Sequence, residues 1–205
     1  MTIISTEDQI RLRAEEDLEF FIKLVHPGRV LGKIHQEVIQ WWNREDANSH
    51  QLLLLTRDHQ KSAMIAYRVA WEITKNPALR VLYISSTANL ATKQLKFIKD
   101  IFTSDIYRRY WPEMVNPDEA KSEKCTERER SVDHRRRKEQ AVRDPTIFTA
   151  GLTTSIVGMH CDIAVMDDVV VSDNANTEDG RAKVEQQYSL LASIEGARAR
   201  EWIVG

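Results

Sequence analysis

The stretch Leu52-Leu53-Leu54-Leu55-Thr56-Arg57-Asp58-His59-Gln60-Lys61-Ser62 decides the fold. Four leucines without polar alternation read as a strand buried on both faces of a parallel sheet. The polar turn after them closes on Lys-Ser, and Met64, Ile65, Val69 and Ile73 then recur at helical spacing, which predicts a helix from about Ser62 to Lys75. Strand, polar loop, Lys-Ser and helix together make the physical design of a phosphate cradle. Backbone N–H groups of a helix N-terminus face the anion, a lysine reaches the terminal phosphates and a hydroxyl ligates Mg²⁺. Lys61 and Ser62 hold those positions. The pattern G-x-x-x-x-G-K-[ST] is not met, because its glycines fall on Leu55 and Gln60, and an ordinary solvated helix start presents the same dipeptide.

Working outward, Pro77 closes that helix, Arg80 to Ser85 is a second strand and Ala88 to Phe102 a second helix. This strand-helix-strand alternation predicts right-handed crossovers and a mostly parallel sheet with helices on both faces. Upstream, Ser5 and Thr6 cap an amphipathic helix over residues 5–25 that His26-Pro27-Gly28 ends, and a further helix runs from Lys33 to Arg44. From Trp111 to Pro145 the chain is polar and weakly periodic and reads as a flexible insertion. Strand patterning returns at Thr146 to Thr149 and at Asp162 to Met166. A helix over Thr177 to Glu195 and a strand over Glu201 to Val204 follow.

The second chemical element is Ile163-Ala164-Val165-Met166-Asp167-Asp168, an apolar strand that ends in adjacent carboxylates. A nucleotidase places one acid there to hold Mg²⁺, the role of Asp167, and the next to orient or deprotonate water, the role of Asp168. A strand-end turn favours aspartate as well. The order of the two elements, with a strand and helix between, is that of P-loop NTPases of the additional-strand (ASCE) type.

Composition narrows the classes. The chain has 205 residues, 42% hydrophobic and 29% charged, which fits one folded domain and excludes disorder. Formal net charge is −2, yet Arg128 to Arg143 holds seven basic and three acidic residues, net +4, while Cys161 to Gly180 holds six acids and no base. Two cysteines, Cys125 and Cys161, support neither a disulfide framework nor a four-ligand zinc site. No apolar run reaches membrane-spanning length, and MTIISTEDQ lacks the regions of a signal peptide. Glycine is scarce, 7 in 205, with none between Gly32 and Gly151, so any phosphate loop in that stretch works without it.

Along nearly its whole length the chain resembles the ATPase domain of the large terminase subunit, the DNA-packaging motor of tailed bacteriophages, most closely that of short-tailed phages. The segment Phe20 to Arg29, with Ile34-His35-Gln36 after it, resembles the family's lead-in. Thr56 to Ser62 is similar to its deviant Walker A, Leu82 to Ala91 to the strand and loop that follow, and Gly158 to Val169 to its Walker B block. The resemblance implies ATP hydrolysis with Mg²⁺, coupled to moving double-stranded DNA into a procapsid. It implies that Arg57 contacts the γ-phosphate in cis, that Asp58, His59, Gln60, Lys61 and Ser62 cradle the nucleotide, and that Gln36 reads adenine. Ser62 and Asp167 would hold the metal. Implied partners are DNA, a portal protein, a small terminase subunit and further copies of the chain in a ring; the implied location is the host cytoplasm, outside the mature virion.

Two departures stand out. Asp168 occupies a position that is often glutamate, and His160 one where arginine is expected, which leaves the trans-acting arginine finger unassigned. The domain reading is a single ATPase domain over 1–205, with a helical lead-in over 1–50, a P-loop core over 51–205 that carries the insertion at about 111–145, and no C-terminal nuclease domain. The chain alone is expected to be monomeric and without nuclease activity. Arg128, Arg130, Arg135, Arg136, Arg137 and Lys138 are candidates for DNA phosphates or a neighbour's nucleotide, as are Arg198 and Arg200. Interleaved acids make a solvated loop the alternative. A helicase-like ATPase and a non-catalytic nucleotide-binding or structural module remain rival readings.

Overall fold

The computed structural model describes residues 5–44, 48–116, 118 and 126–205. Among them a six-stranded sheet runs in the order β1-β6-β5-β2-β4-β3, parallel throughout except for the β3–β4 pair. The strands are β1 (His50–Leu53), β2 (Val81–Ser85), β3 (Glu129–Arg130), β4 (Ile147–Gly151), β5 (Cys161–Asp167) and β6 (Glu195–Val204). Helices flank both faces, so the protein is a mixed α/β fold on a mostly parallel sheet.

The apolar runs sort themselves by position. Every residue of β2 is buried, as is all of β5 except Asp162, because each lies between two neighbours with side chains packed above and below. One face is covered by α1 (Thr6–Glu16), α2 (Leu18–Val25), α3 (Lys33–Trp42), α4 (Lys61–Lys75), α5 (Ala88–Thr103) and α6 (Asp105–Tyr110). The other carries a smaller core of Leu82, Ile84, Ala164, Met166, Leu191 and Ile194 under α9 (Glu178–Leu191). In α4 every residue from Met64 to Thr74 is buried, so this helix is the hub on which the lead-in helices pack.

Several expectations need correction. The leucine run is not buried on both faces: β1 is the sheet edge among the described residues, it begins two residues earlier, and Leu52 and Leu54 are 55% and 68% exposed. The run looked internal because the face under Leu53 and Leu55 is packed. The first helix is two, since Asp17 adopts extended geometry, ends α1 and caps α2 by accepting from the Phe20 N–H at 3.0 Å. The last strand begins at Glu195, where helix had been expected, and a separate short helix α8 (Ser172–Ala175) precedes α9.

The insertion is not a loose excursion where it is described. Trp111, Met114, Val115 and Val132 are core residues, β3 pairs with β4, and α7 (Arg135–Glu139) follows. Its apolar residues are too irregularly spaced to give a period, which hid them in the sequence. Cys125 lies outside the described residues.

Candidate active site

The two sequence elements meet at the carboxyl ends of the parallel strands, where α/β sheets place their ligand crevices. The loop after β1 leads into α4, and Asp167-Asp168 end β5. Strand β6 lies between them, so the crevice is bounded by strands that are not neighbours.

Gln60 is the N-cap residue of α4, and its backbone is left-handed at φ 53°. Asp58, two residues earlier, is also left-handed at φ 68°. Glycine adopts this geometry freely, whereas other residues pay on the order of 1–3 kcal/mol each unless their surroundings hold them. The glycine-free loop therefore makes two left-handed turns at residues that carry side chains. Aspartate is among the residues enriched there; for Gln60 the support must come from neighbours.

Each acid receives a partner from the loop side. Ser62 Oγ donates to Asp167 Oδ1 at 2.9 Å, and Tyr83 Oη, from β2, donates to Asp167 Oδ2 at 2.9 Å. Lys61 Nζ lies 3.1 Å from Asp168 Oδ1. Asp168 itself is left-handed, φ 47°, with its N–H donated to the Val204 carbonyl at 2.9 Å, so a turn at the strand end lifts its carboxylate out of the core while Asp167 stays in. Asp167 is 3% exposed, whereas the Asp168 side chain is 45% exposed.

Electrostatics separate the two acids. Burial pushes the Asp167 carboxyl above its ordinary range; the hydrogen bonds from Tyr83 and Ser62 offset part of this, and neighbouring Asp168 adds to the rise. Burial and Asp167 also raise the Tyr83 phenol well above its usual value, so it stays protonated and can only donate to the carboxylate. The site is thus a desolvated carboxylate, Asp167, facing Ser62, beside an exposed one on a left-handed backbone, Asp168, facing Lys61.

The donor set fits Mg²⁺. Ser62 Oγ and Asp167 Oδ1 are 2.9 Å apart, close to the roughly 3 Å between neighbouring ligands on an octahedral ion with bonds of about 2.1 Å. No cluster of three or more His, Cys, Asp or Glu side chains suited to a metal occurs among the described residues.

Of the sequence-predicted residues, the structure brings together Lys61, Ser62, Asp167 and Asp168. Arg57 and Asp58 are exposed on the loop. His59 closes it, its Nδ1 lying 2.8 Å from Thr56 Oγ1 and 3.1 Å from the Arg57 carbonyl. Gln36 donates its amide to Glu19 at 3.0 Å.

The basic segment divides. Arg128, Arg135, Arg136 and Lys138 are exposed. Arg130 and Arg137 are buried, so neither faces a DNA phosphate; Arg137 donates to the carbonyls of Pro77 and Leu79. Arg200 pairs with Glu72 at 3.0 Å. Together with Arg198 it lines a cavity of about 650 Å³ that also includes Arg80, Arg143, Asp144 and Asp162, at the end of the sheet opposite the acids.

Two residues, quoted only within longer segments, had no role of their own in the sequence. Tyr83 stood in an apolar strand, and its only signal was that a buried phenol needs a partner. His35 stood in the lead-in helix, where its fully used ring gave no signal at all.

No protein-family model matches the chain, and no curated protein matches it. Among solved structures, the chain is similar to a mutant of the large terminase ATPase domain of Thermus phage P74-26, at 11% identity and a TM-score of 0.48, over 91% of this chain and 68% of that one. A likeness of that size assigns no role to any residue here.

Proposed function

We propose that the protein is a Mg²⁺-dependent ATPase of the additional-strand P-loop type. The observation that carries this reading is the convergence of Lys61 and Ser62 at the start of a buried helix with Asp167 and Asp168 at the end of a buried strand. The sheet order supports it: β6 stands between the loop strand and the acid strand, which is the extra strand that defines the class.

The residues divide the work by position. Backbone amides at the start of α4 and the Lys61 ammonium bind the β- and γ-phosphates. Ser62 and Asp167 would hold Mg²⁺, which supplies charge neutralisation at the phosphate oxygens. When Lys61 turns to the phosphates it releases Asp168, whose carboxylate is then free to take the proton of the attacking water as ADP and inorganic phosphate form. Arg57, exposed on the loop, is placed to reach the γ-phosphate in cis. Asp58, His59 and Gln60 shape the cradle.

Packaging of double-stranded DNA is the finer reading. It follows from the resemblance of Thr56 to Ser62 and of Gly158 to Val169 to the terminase motifs, and it brings with it the portal protein, the small terminase subunit and a ring of copies as partners. No helix among the described residues is long and apolar enough to cross a membrane.

The test is ATP turnover at high protein concentration, alone and with portal and procapsid. Lys61→Ala is expected to lose at least about 100-fold in rate, and full activity in that variant would sink the proposal. Titration with a fluorescent ATP analogue separates the rival: no Mg²⁺-dependent binding to the unaltered chain points to a structural module.

A further inference from the structure

The N-cap residue of helix α3 is Gly32, which has no side chain to cap it. Its third residue, His35, does the capping instead: His35 Nδ1 accepts from the Gly32 N–H at 3.0 Å. A ring nitrogen that accepts carries no proton, so neutral His35 bears its proton on Nε2. That nitrogen lies 3.2 Å from the backbone carbonyl of His59 and donates to it. His35 is 8% exposed and both ring nitrogens are engaged.

The carbonyl it holds belongs to the one loop residue flanked on both sides by left-handed ones, Asp58 and Gln60. In a trans peptide the C=O and the following N–H point in opposite directions. Fixing the His59 carbonyl toward α3 therefore aims the Gln60 N–H away from α3. It also fixes the plane of the peptide that enters the Gln60 turn, directly before Lys61. On the far side of the loop, the contact of His59 Nδ1 with Thr56 Oγ1 closes the ring of restraints.

We propose that His35 is a positioning residue for the phosphate loop: from the lead-in helix, it holds by one hydrogen bond the left-handed turns that a glycine loop takes up unaided. The proposal rests on the ATP-site reading above and deepens it, because it makes the lead-in helix part of the nucleotide site. Gln36, the next residue, is tied by its amide to Glu19 of α2, so a shift of the lead-in helices reaches the loop through His35.

Two variants divide the ring's two bonds. His35→Asn keeps an acceptor for the Gly32 N–H but is too short to reach His59. His35→Gln carries an amide N–H out to where Nε2 lies. In nucleotide-free protein, hydrogen exchange at residues 56–60 is expected to speed up about five- to tenfold in His35→Asn, the effect of losing one internal hydrogen bond, and to return toward the unaltered rate in His35→Gln. Affinity for a fluorescent Mg²⁺-ATP analogue is expected to fall by the same factor and to be rescued in the same variant. Thermal midpoints of both variants should stay within a few degrees of the unaltered protein. Unchanged loop exchange in His35→Asn, or a loss that His35→Gln does not restore, overturns the role of His35. Faster exchange in a protein that binds no Mg²⁺-nucleotide in any form overturns the ATP-site reading instead.

Discussion

Asp162 and Asp167 lie near the two ends of one strand, β5, five residues apart, and the protein treats them oppositely. At the amino end, burial disfavours the Asp162 charge. Arg80 more than offsets this by gripping the carboxylate with its side chain at 2.8 and 3.0 Å and with its backbone N–H at 2.9 Å, so the carboxyl falls below its ordinary range. At the carboxyl end, Asp167 is more deeply buried; the hydroxyls of Ser62 and Tyr83 and the nearby Lys61 charge offset only part of that cost, and its carboxyl rises above the ordinary range. A carboxylate needed to hold the fold is given a cation of its own. The carboxylate proposed to hold Mg²⁺ takes its hydrogen bonds from hydroxyls, and the Lys61 charge offsets its burial only in part.

The sharpest way to break the comparison is to neutralise Asp167. Asp167→Asn is expected to lose at least about 100-fold in ATP turnover, because the proposed metal ligand is gone. It is expected to gain stability in chelator at neutral pH. The sign follows from linkage: a carboxyl raised in the folded state holds its proton more tightly there than in the unfolded chain, so its unfavourable contribution is fully present above the folded pKa and vanishes below the unfolded one. The gain in thermal midpoint should be a few degrees at neutral pH and should shrink as pH falls into the carboxylate range, read by thermal melts across pH. A lower midpoint for Asp167→Asn at neutral pH would break the contrast with Asp162.

Asp162→Asn should do the reverse. A lowered carboxyl stabilises above its ordinary value near 3.8, and that stability is lost as pH falls through the still lower folded pKa. The pair is partly exposed, with side chains 27% and 33% accessible, so the expected cost is about 1–2 kcal/mol, or roughly 3–6 °C. Affinity for a Mg²⁺-ATP analogue should not change, since Asp162 sits at the far end of the sheet. Melts and titrations on one preparation test both halves.

The same contrast explains what the sequence disclosed. The Lys61-Ser62 and Asp167-Asp168 pairs were legible because strand-end chemistry is local: an apolar run stops and the reactive groups follow it. The parallel sheet was legible for the same reason, since each β-loop-α unit is written consecutively. Tertiary placement was not. Nothing local told the leucine run that it would form the edge of the sheet, with Leu52 and Leu54 open to solvent. Asp17 reads as one polar residue in an amphipathic pattern until its side chain is seen capping α2. Arg130 and Arg137 read as a solvated basic run because burial of an arginine depends on carbonyls and partners brought from elsewhere, in the case of Arg137 from residues 77 and 79. Long-range hydrogen bonds such as Tyr83 to Asp167, 84 positions apart, leave no mark in sequence spacing.

Tyr83 gives the smallest predicted effect and the finest test of how Asp167 is oriented. Its hydroxyl is one of two donors that fix both oxygens of Asp167, and it arrives from β2, the strand paired beside β5, with Ser85 opposite Asp167 in the register. Tyr83→Phe removes a single atom from a fully buried ring, so no cavity worth the name opens and the core of α4 and α5 keeps its packing. Asp167 Oδ2 loses its donor while Oδ1 keeps Ser62, and the carboxylate gains freedom to turn. The expected loss is about 1 kcal/mol of ordering, read as roughly a five- to tenfold fall in kcat at saturating Mg²⁺-ATP with KM nearly unchanged, because the phosphate contacts of Lys61 and the loop are intact. A fall in thermal midpoint with kcat unchanged would mean that the phenol only satisfies itself in the core, and that Asp167 is oriented by Ser62 alone.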